Sequence, residues 1–283
     1  MKNAFSVKIL PLSLLFLIIF AVSLYASQGT LSADNLKYDL NTKQVTAVGS
    51  VIIKRDGATI WGDTAKGNVE SSEFRVIGRV KGLFPKEKAE LFSDSLSWKK
   101  APKSEEGIVE ASGKVVMTRG TTDKLNADFV KWTVDTENYT ARGSVNGVID
   151  SRSIKASEAG RLGNKFWGVN VIRYEDKKQK VGIAAKRVDG EMKAREVSEL
   201  TAENDVVIDY IDKDGFKTIV TGKKAVYSKS RGTVVISGGA KALRSDGKLV
   251  TSDNLVLYED TKNIEAIGNS RITFDLPDKK QKN

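Results

Sequence analysis

The chain contains neither cysteine nor histidine, and their absence removes several kinds of protein chemistry. Without cysteine there is no disulfide, no thiolate zinc site, no cysteine nucleophile and no lipidated N-terminal cysteine. Without histidine there is no Ser-His-Asp hydrolysis, no HExxH zinc site and none of the usual proton shuttles near neutral pH. We therefore expect no metal and no other cofactor.

Proline is scarce, with 4 residues against 24 glycines, and helix signals are nearly absent. Apolar residues make up 40% of the 283 residues and charged residues 29%, a balance typical of strands that have one face in water. The length allows one large or two ordinary domains. The net charge of +10 suits an anionic partner such as nucleic acid, anionic lipid or a phosphorylated glycolipid.

The N-terminal segment predicts export. Lys2 and Lys8 precede an uncharged apolar run over residues 9–26, which ends in small residues and is typical of a secretory signal. The run of 18 residues is also at the lower limit for a membrane span. Residues 1–26 are therefore a cleaved signal peptide or a retained inner-membrane anchor. Both alternatives place the rest of the chain in the periplasm and argue against a role with DNA or RNA.

The rest of the sequence is a repeat with a period near 30 residues. In four units an aspartate precedes a glycine by 15 residues, in a fifth a lysine takes the aspartate position, and in a sixth the separation is 19. Two weaker units begin near Ser157 and Lys186 and return near Gly168 and Asn204. The six clear pairs are Asp34 and Gly49, Asp63 and Gly78, Asp94 and Gly113, Asp128 and Gly143, Lys223 and Gly238, and Asp253 and Gly268.

Each unit has the pattern of two strands joined by a turn. Apolar and polar residues alternate on both sides of the glycine, as in Val45, Ala47, Val51 and Ile53, and this period of two is typical of a half-buried strand. Polar turn sequences such as residues 39–43 lie between the two halves. Eight units predict an all-β fold of about sixteen strands.

No unit can bury its apolar face alone, so the units must stack into one sheet. A solenoid and a sheet folded onto itself as a sandwich or jelly roll both satisfy this requirement. Many inward positions hold small residues, such as Ala47, Ala111 and Ala240. These residues allow either close packing of one layer on the other or a cleft left open for an apolar ligand.

Two segments stand apart from the repeat. Residues 187–203 contain several helix formers with irregular apolar spacing, and we interpret them as a long connection or a short helix. Residues 276–283 are charged and predict a disordered basic tail. The repeat domain itself is expected to extend over residues 27–275.

The unit of Ala-Asp, an alternating strand, a polar turn and Ala-x-Gly-x-Val resembles the repeat of the OstA/LptA-type family. That family comprises exported lipopolysaccharide-transport proteins, including LptA, LptC and the N-terminal domain of LptD. The clearest matches are residues 33–53, 127–145 and 252–274. The resemblance implies an elongated, V-shaped β-jelly roll of antiparallel strands. Its interior would hold the acyl chains of lipid A, and its open ends would add to the sheets of partner proteins.

On this interpretation the inward residues line an apolar trough that holds lipopolysaccharide or a related glycolipid. Burying each CH₂ group contributes about 0.8 kcal/mol, so such a trough strongly favours acyl chains over water. The residues expected to line it share one parity in the repeat: Leu36, Val51, Ile53, Val115, Met117, Val130, Val145, Ala240, Leu255, Ile272 and Phe274.

The two terminal units lack the blunting features usual at exposed strand edges. We expect them to pair with β-jelly-roll transport partners, or head to tail with a second copy, in a bridge from the inner to the outer membrane. One alternative is a membrane-anchored, LptC-like component of the same pathway. Another is an exported β-solenoid that binds carbohydrate or acts as an adhesin. The recurring aspartates follow the repeat, so we interpret them as structural and expect no enzymatic activity.

Overall fold

The structure, a computed structural model, describes residues 29–100, 107–134, 136–194, 196–212 and 214–275. These residues form strands and turns without a helix, which confirms the predicted all-β fold. The strands are β1 (Thr30–Ser32), β2 (Asn35–Tyr38), β3 (Gln44–Arg55), β4 (Ala58–Asn68), β5 (Glu73–Phe84), β6 (Ala89–Lys100), β7 (Gly107–Arg119), β8 (Asp123–Thr133), β9 (Tyr139–Ile149), β10 (Arg152–Leu162), β11 (Lys165–Asp176), β12 (Val181–Lys193), β13 (Glu196–Ile211), β14 (Lys217–Ser228), β15 (Thr233–Arg244), β16 (Leu249–Tyr258), β17 (Ile264–Ile267) and β18 (Arg271–Thr273).

The strands form one antiparallel meander in which each strand from β3 to β16 pairs with the next in sequence. At the N-terminal edge β1 and β2 both pair with β3, and at the C-terminal edge β17 and β18 both pair with β16. Each of these pairs is one strand with a break in it. The described sheet therefore has sixteen strand positions, the number that eight repeat units predict.

A bend crosses the middle of the sheet. The register shifts near the centre of the long strands, for example between Ser112 and Val115 in the pairing of β7 with β8. At this point Gly113 and Lys114 both have positive φ, 79° and 49°. Two consecutive residues in this left-handed region turn the strand sharply and are a mark of β-bulges. The same double bulge recurs at Gly49, Gly78 and Gly143.

The spacing of the recurring aspartates has a structural reason, because each aspartate packs against the bulge of the next strand. A Cβ on Gly113 would lie 2.8 Å from the Cβ of Asp94, so only glycine leaves room for the aspartate. In the first unit the Asp34 carboxylate accepts a hydrogen bond from Ser50 Oγ at 3.0 Å, and the Asp34 N–H donates to the Gly49 carbonyl at 2.8 Å. The aspartate and the glycine together pin the bend.

The bend divides every long strand into two limbs whose inner faces oppose each other. We call the part of the sheet that contains the β3–β4 turn the first limb, and the part that contains the β4–β5 turn the second limb. Ile53 and Ile60 of the first limb and Val76 and Leu96 of the second limb line the same small cavity, so the limbs enclose a common interior. This geometry agrees with a V-shaped jelly roll.

The interior contains two hydrophobic cores that follow one another along the meander. The N-terminal core extends from Ala47 to Ala159 and the C-terminal core from Ala156 to Leu257. Ile154 of β10 packs against both cores. The N-terminal half of the sheet, up to β10, and the C-terminal half, from β10 onward, thus share a fold but have separate interiors.

The interpretation of residues 187–203 as a connection or short helix is wrong. The segment belongs to β12 and β13, which pair with each other through both limbs. The weak unit that begins at Ser157 also bends two residues later than expected, at Asn170 instead of Gly168. Asn170 has positive φ, and its amide donates to Ser157 Oγ at 3.2 Å, so an Asn–Ser pair replaces Gly–Asp.

Two expectations lie outside the described residues: the signal peptide or anchor at 1–26 and the tail at 276–283. Within the described ranges no helix is both long enough and apolar enough to cross a bilayer.

Candidate functional site

A cavity of about 220 Å³ lies between the two limbs in the C-terminal half. The first limb contributes Ile183 and Ile208 to its floor, and the second limb contributes Leu200, Ala225 and Leu257. These side chains continue the C-terminal core, so the floor is apolar. A concave apolar site with a few polar groups at its mouth is the usual form of a small-molecule or lipid site.

The mouth of the cavity has charged residues of both signs. The cationic residues are Arg152, Lys229 and Lys262, and the acidic residues are Asp176, Glu196 and Glu259. Arg152 pairs with Asp176 at 3.1 Å within the first limb, and Lys229 pairs with Glu196 within the second limb. Each of these two ion pairs joins residues of a single limb, so neither pair bridges the mouth of the cavity.

Three tyrosines lie between the apolar floor and the charged mouth. Burial raises the pKa of Tyr174 to about 12, against a smaller opposing effect of Arg152. Burial and the neighbouring Glu259 carboxylate raise the pKa of Tyr227 to about 12, and its hydroxyl donates to Glu259 at 3.2 Å. Burial also raises the pKa of Tyr210. All three phenols are neutral at physiological pH and offer hydrogen bonds at the level where a headgroup would begin.

The cavity described between the limbs of the N-terminal half is much smaller. It has a volume of about 10 Å³, which is about the space one water needs. The inward alanines Ala47 and Ala111 are fully buried in the N-terminal core, which agrees with close packing of the limbs there. Ala240 is buried in the C-terminal core and does not line the larger cavity.

No protein-family model matches the chain, and no curated protein matches its sequence significantly. Among solved structures the chain is similar to LptH from Pseudomonas aeruginosa, described as the LptA-homologous periplasmic component of the lipopolysaccharide transport device. The likeness covers 54% of this chain and 95% of LptH, at 12% sequence identity and a TM-score of 0.27. The repeats and the cavity of this chain, not this likeness, are what support a function for it.

The eleven residues expected to line a trough lie in three places. Val51, Ile53, Val115, Met117, Val130 and Val145 pack in or against the N-terminal core. Ala240 and Leu255 are buried in the C-terminal core. Leu36, Ile272 and Phe274 lie on the terminal strands or just beyond them and are exposed by 49%, 59% and 52%. None of the eleven lines the larger cavity, and their contact with lipid stays a prediction.

The residues that do line the cavity were missed because β10–β13 have the weakest repeat pattern. A signal was present in the clearer units. The fourth residue after the anchor is Tyr38, Gly67, Trp98 and Trp132 in the N-terminal half, and Tyr227 and Leu257 in the C-terminal half. Trp98 and Trp132 are buried in the N-terminal core, whereas Tyr227 and Leu257 line the larger cavity.

Both edges of the sheet expose apolar side chains on the interior parity. Leu36 of β2 lies opposite Ala47, and Ile272 of β18 lies opposite Val250. Among the described residues β2 pairs only with β3, and β18 only with β16. An edge strand with unpaired backbone groups and an exposed apolar face is suited to pairing with another strand.

Within the described ranges there is no group of three or more acidic residues placed to hold a metal ion. The recurring aspartates are engaged at the bends, as when the Asp253 carboxylate accepts a hydrogen bond from the Asn269 amide at 2.8 Å. Their recurrence therefore has a structural reason.

Proposed function

We propose that the chain is a periplasmic transport protein for lipopolysaccharide or a related glycolipid, and that it shelters acyl chains between the limbs of its folded sheet. The observation that carries the proposal is the cavity of about 220 Å³, which has an apolar floor and is also lined by tyrosines and charged residues. A water-filled compartment is costly for acyl chains, and the cavity replaces water by aliphatic side chains. The repeat pattern, which resembles the OstA/LptA type, supports the same function.

The open edges support a place for the chain within a series of similar proteins. Strand addition at β2 and at β18 would extend the sheet and join one interior to the next. The partners are jelly-roll proteins with free edges of their own, or further copies of this chain. A membrane-anchored, LptC-like role differs only in whether residues 9–26 are retained.

The most direct test is mass spectrometry of the lipid that co-purifies with the full chain from its native envelope. We expect an acyl-chain glycolipid in the wild type. Ile208→Asp places a carboxylate on the cavity floor and should reduce the amount of recovered lipid, because covering this charge with an acyl chain would remove it from water at a high free-energy cost. Ile219→Asp on the outer face of the same limb is the matched control, since Ile219 is an exposed residue.

Folding of both variants is followed by circular dichroism and thermal unfolding. A folded Ile208→Asp protein with undiminished lipid would contradict binding in the cavity. A wild-type protein that carries no lipid from the envelope or from detergent-free reconstitution would contradict the proposed function. For Val51 and Val115, contact with lipid requires the packed N-terminal limbs to separate. The corresponding test is reduced lipid binding by folded Val51→Asp or Val115→Asp variants.

A second function, carbohydrate binding, is favoured by one feature of the outer face. Trp61 and Phe92 flank Lys81, whose Nζ lies 5.9 Å and 5.4 Å from the two ring centroids. Aromatic rings on an exposed sheet face can stack on sugars. Binding of soluble polysaccharides that is lost in Trp61→Ala, with lipid binding retained, would favour this alternative.

A further inference from the structure

The two halves of the fold are built from the same repeat, yet the cavities described in them differ greatly in size. The interior cavity measures about 10 Å³ in the N-terminal half and about 220 Å³ in the C-terminal half. Bulges with positive φ recur in both halves, and β13 is longer than the strands of the N-terminal half. The side chains that meet between the limbs also differ.

Three aromatic residues close the N-terminal half, and we call them the aromatic latch: Phe84, Trp98 and Trp132. Phe84 belongs to the first limb, and the two tryptophans belong to the second. The Phe84 ring stacks on Trp98 with 5.8 Å between centroids and meets Trp132 edge-on at 5.0 Å. Stacked and edge-on contacts between aromatic rings are favourable beyond the area they bury, so the latch holds the limbs together.

Polar contacts between the limbs reinforce the latch. Arg55 of the first limb donates to the Ser72 carbonyl of the second limb at 2.8 Å, and its guanidinium lies 5.7 Å from the Trp98 ring centroid. Arg119 of the first limb pairs with Glu137 of the second at 3.5 Å. In the C-terminal half, by contrast, Arg152–Asp176, Lys229–Glu196 and Tyr227–Glu259 each join residues of one limb.

The repeat register shows what replaces the latch in the C-terminal half. Trp98 and Trp132 are the fourth residues after Asp94 and Asp128. The fourth residues after Lys223 and Asp253 are Tyr227 and Leu257, and both line the open cavity. A smaller ring and an aliphatic side chain at these positions leave unfilled the volume that the two indoles occupy in the N-terminal half.

From these observations we propose that acyl chains occupy only the C-terminal half of the interior, and that the aromatic latch excludes them from the N-terminal half. This inference rests on the proposed lipid-binding function and assigns it to one part of the fold. The ligand is an amphiphile whose chain lies over Leu200, Ile208 and Leu257. Its headgroup lies among the tyrosine hydroxyls and the mixed charges of the mouth. The N-terminal half is then a closed module that carries the sheet to its partner.

The repeat permits a reciprocal exchange as the test. Leu257→Trp installs the N-terminal residue in the open half, and Trp98→Leu installs the C-terminal residue in the closed half. Trp98 is 6% exposed, and its indole N–H has no hydrogen-bond partner among the described residues. Its replacement therefore removes an unsatisfied donor along with the ring. Val256→Trp, on the outward parity of the same strand as Leu257, is the matched control.

Binding of dodecyl phosphate to the delipidated full chain is measured by native mass spectrometry and titration. We expect one site in the wild type and in Val256→Trp, and affinity weaker by about tenfold or more in Leu257→Trp. Trp98→Leu should gain a second site. If Leu257→Trp fails to fold, Tyr227→Trp addresses the same cavity.

A probe with bromine on the acyl chain gives a measurement that needs no destabilising change, because bromine quenches tryptophan fluorescence on contact. Trp61→Phe and Trp167→Phe are introduced so that the fluorescence comes from Trp98 and Trp132. We expect little quenching in this protein and strong quenching when Tyr227→Trp is added. Quenching of the latch tryptophans, or full-strength binding by folded Leu257→Trp, would overturn the assignment while leaving lipid binding intact. No binding of any acyl probe to the wild type would overturn lipid binding itself.

Discussion

At the scale of single residues, the glycine at each bend is fixed by its own backbone and by its neighbour across the strand. Gly113 has a φ of 79°, which other residues adopt at a cost of roughly 1–2 kcal/mol. The Asp94 side chain occupies the space beside it. Gly120 has a φ of 60° but no atom within 4 Å of the position of a Cβ, so it isolates the backbone effect.

We expect Gly120→Ala to lower the free energy of unfolding by about 1–2 kcal/mol. Gly113→Ala should lower it by about 1–3 kcal/mol more, because the new methyl group overlaps Asp94. The measurement is urea unfolding followed by circular dichroism. Adding Asp94→Ala to Gly113→Ala should recover part of the loss, and strict additivity of the two changes would contradict the contact.

The buried phenol of Tyr174 predicts a dependence of stability on alkaline pH. Burial raises its pKa to about 12, whereas a tyrosine in the unfolded chain ionises near pH 10. Between these values the unfolded state binds fewer protons than the folded state, so the free energy of unfolding falls as pH rises from about 10 to about 12.

Tyr174→Phe should remove this part of the fall and leave the part that comes from other groups. Unfolding free energies of the wild type and the variant between pH 9 and 12.5 provide the comparison, with tyrosinate absorbance as a direct readout. If the free energy of unfolding falls equally with pH in the two proteins, the pKa of Tyr174 is the same in the folded and unfolded chain, which would contradict the prediction.

At the scale of strands, the alternation of apolar and polar residues predicted most strands correctly. It failed where pairing with neighbouring strands overrides the helix propensity of the residues. The alternation around Gly49, Gly113 and Gly268 was enough to place a strand at each, but not to place the bend. Residues 187–203 contain good helix formers, yet β12 and β13 are held by ladders on both sides. Hydrogen bonds to neighbouring strands are tertiary interactions, and no window of sequence contains them.

The C-terminal edge strand provides the prediction at this scale. Ile272 of β18 faces the interior side and is exposed, so Ile272→Lys places an inward charge on an edge, which blocks strand addition. A photo-crosslinker at Thr273 should then capture less of its β-rich partner or second copy in living cells, with unchanged thermal stability.

Ile267→Lys is the control for that experiment, because Ile267 is exposed on the outward parity of β17. A crosslinker at Lys37 reports on the opposite edge. Its capture of a different β-rich partner should be unaffected by either change, whereas its capture of a second copy should fall in Ile272→Lys, because head-to-tail pairing joins the two edges. If crosslinkers at both edges capture nothing in the wild type, the bridge fails and a separate lipid carrier becomes the better description.

At the scale of the whole molecule, the aromatic latch predicts that the two halves differ in stability. Contacts between limbs hold β3–β9 closed, whereas β11–β16 enclose a cavity, and packing voids weaken a core. Amide hydrogen exchange should show slower exchange in the strands of the N-terminal half. Acyl-lipid binding should slow exchange mainly in β11–β16, since a ligand stabilises the state it binds. Equal protection of the two halves without lipid would contradict the latch.

The position of the cavity could not be predicted from the sequence, for a physical reason. Parity shows which side chains point inward, but free volume depends on how side chains from both limbs meet across the interior. Phe84 fills space only because Trp98 and Trp132 lie opposite it. Such contacts join residues from different repeat units, and they become visible only when the bend has brought the limbs together.

The strands of the meander stack at a constant spacing and share one line of bends. The length of the sheet is therefore proportional to the number of its strands. Strands in a sheet are spaced by about 4.8 Å, so sixteen strand positions extend over about 70 Å along the direction of stacking. Because each unit brings its own bulge and its own aspartate or substitute, a whole unit can be added or removed without disturbing the bends of the others. Length then changes in steps of about 10 Å, two strands at a time, and the extent of the sheet is set by the number of its repeats.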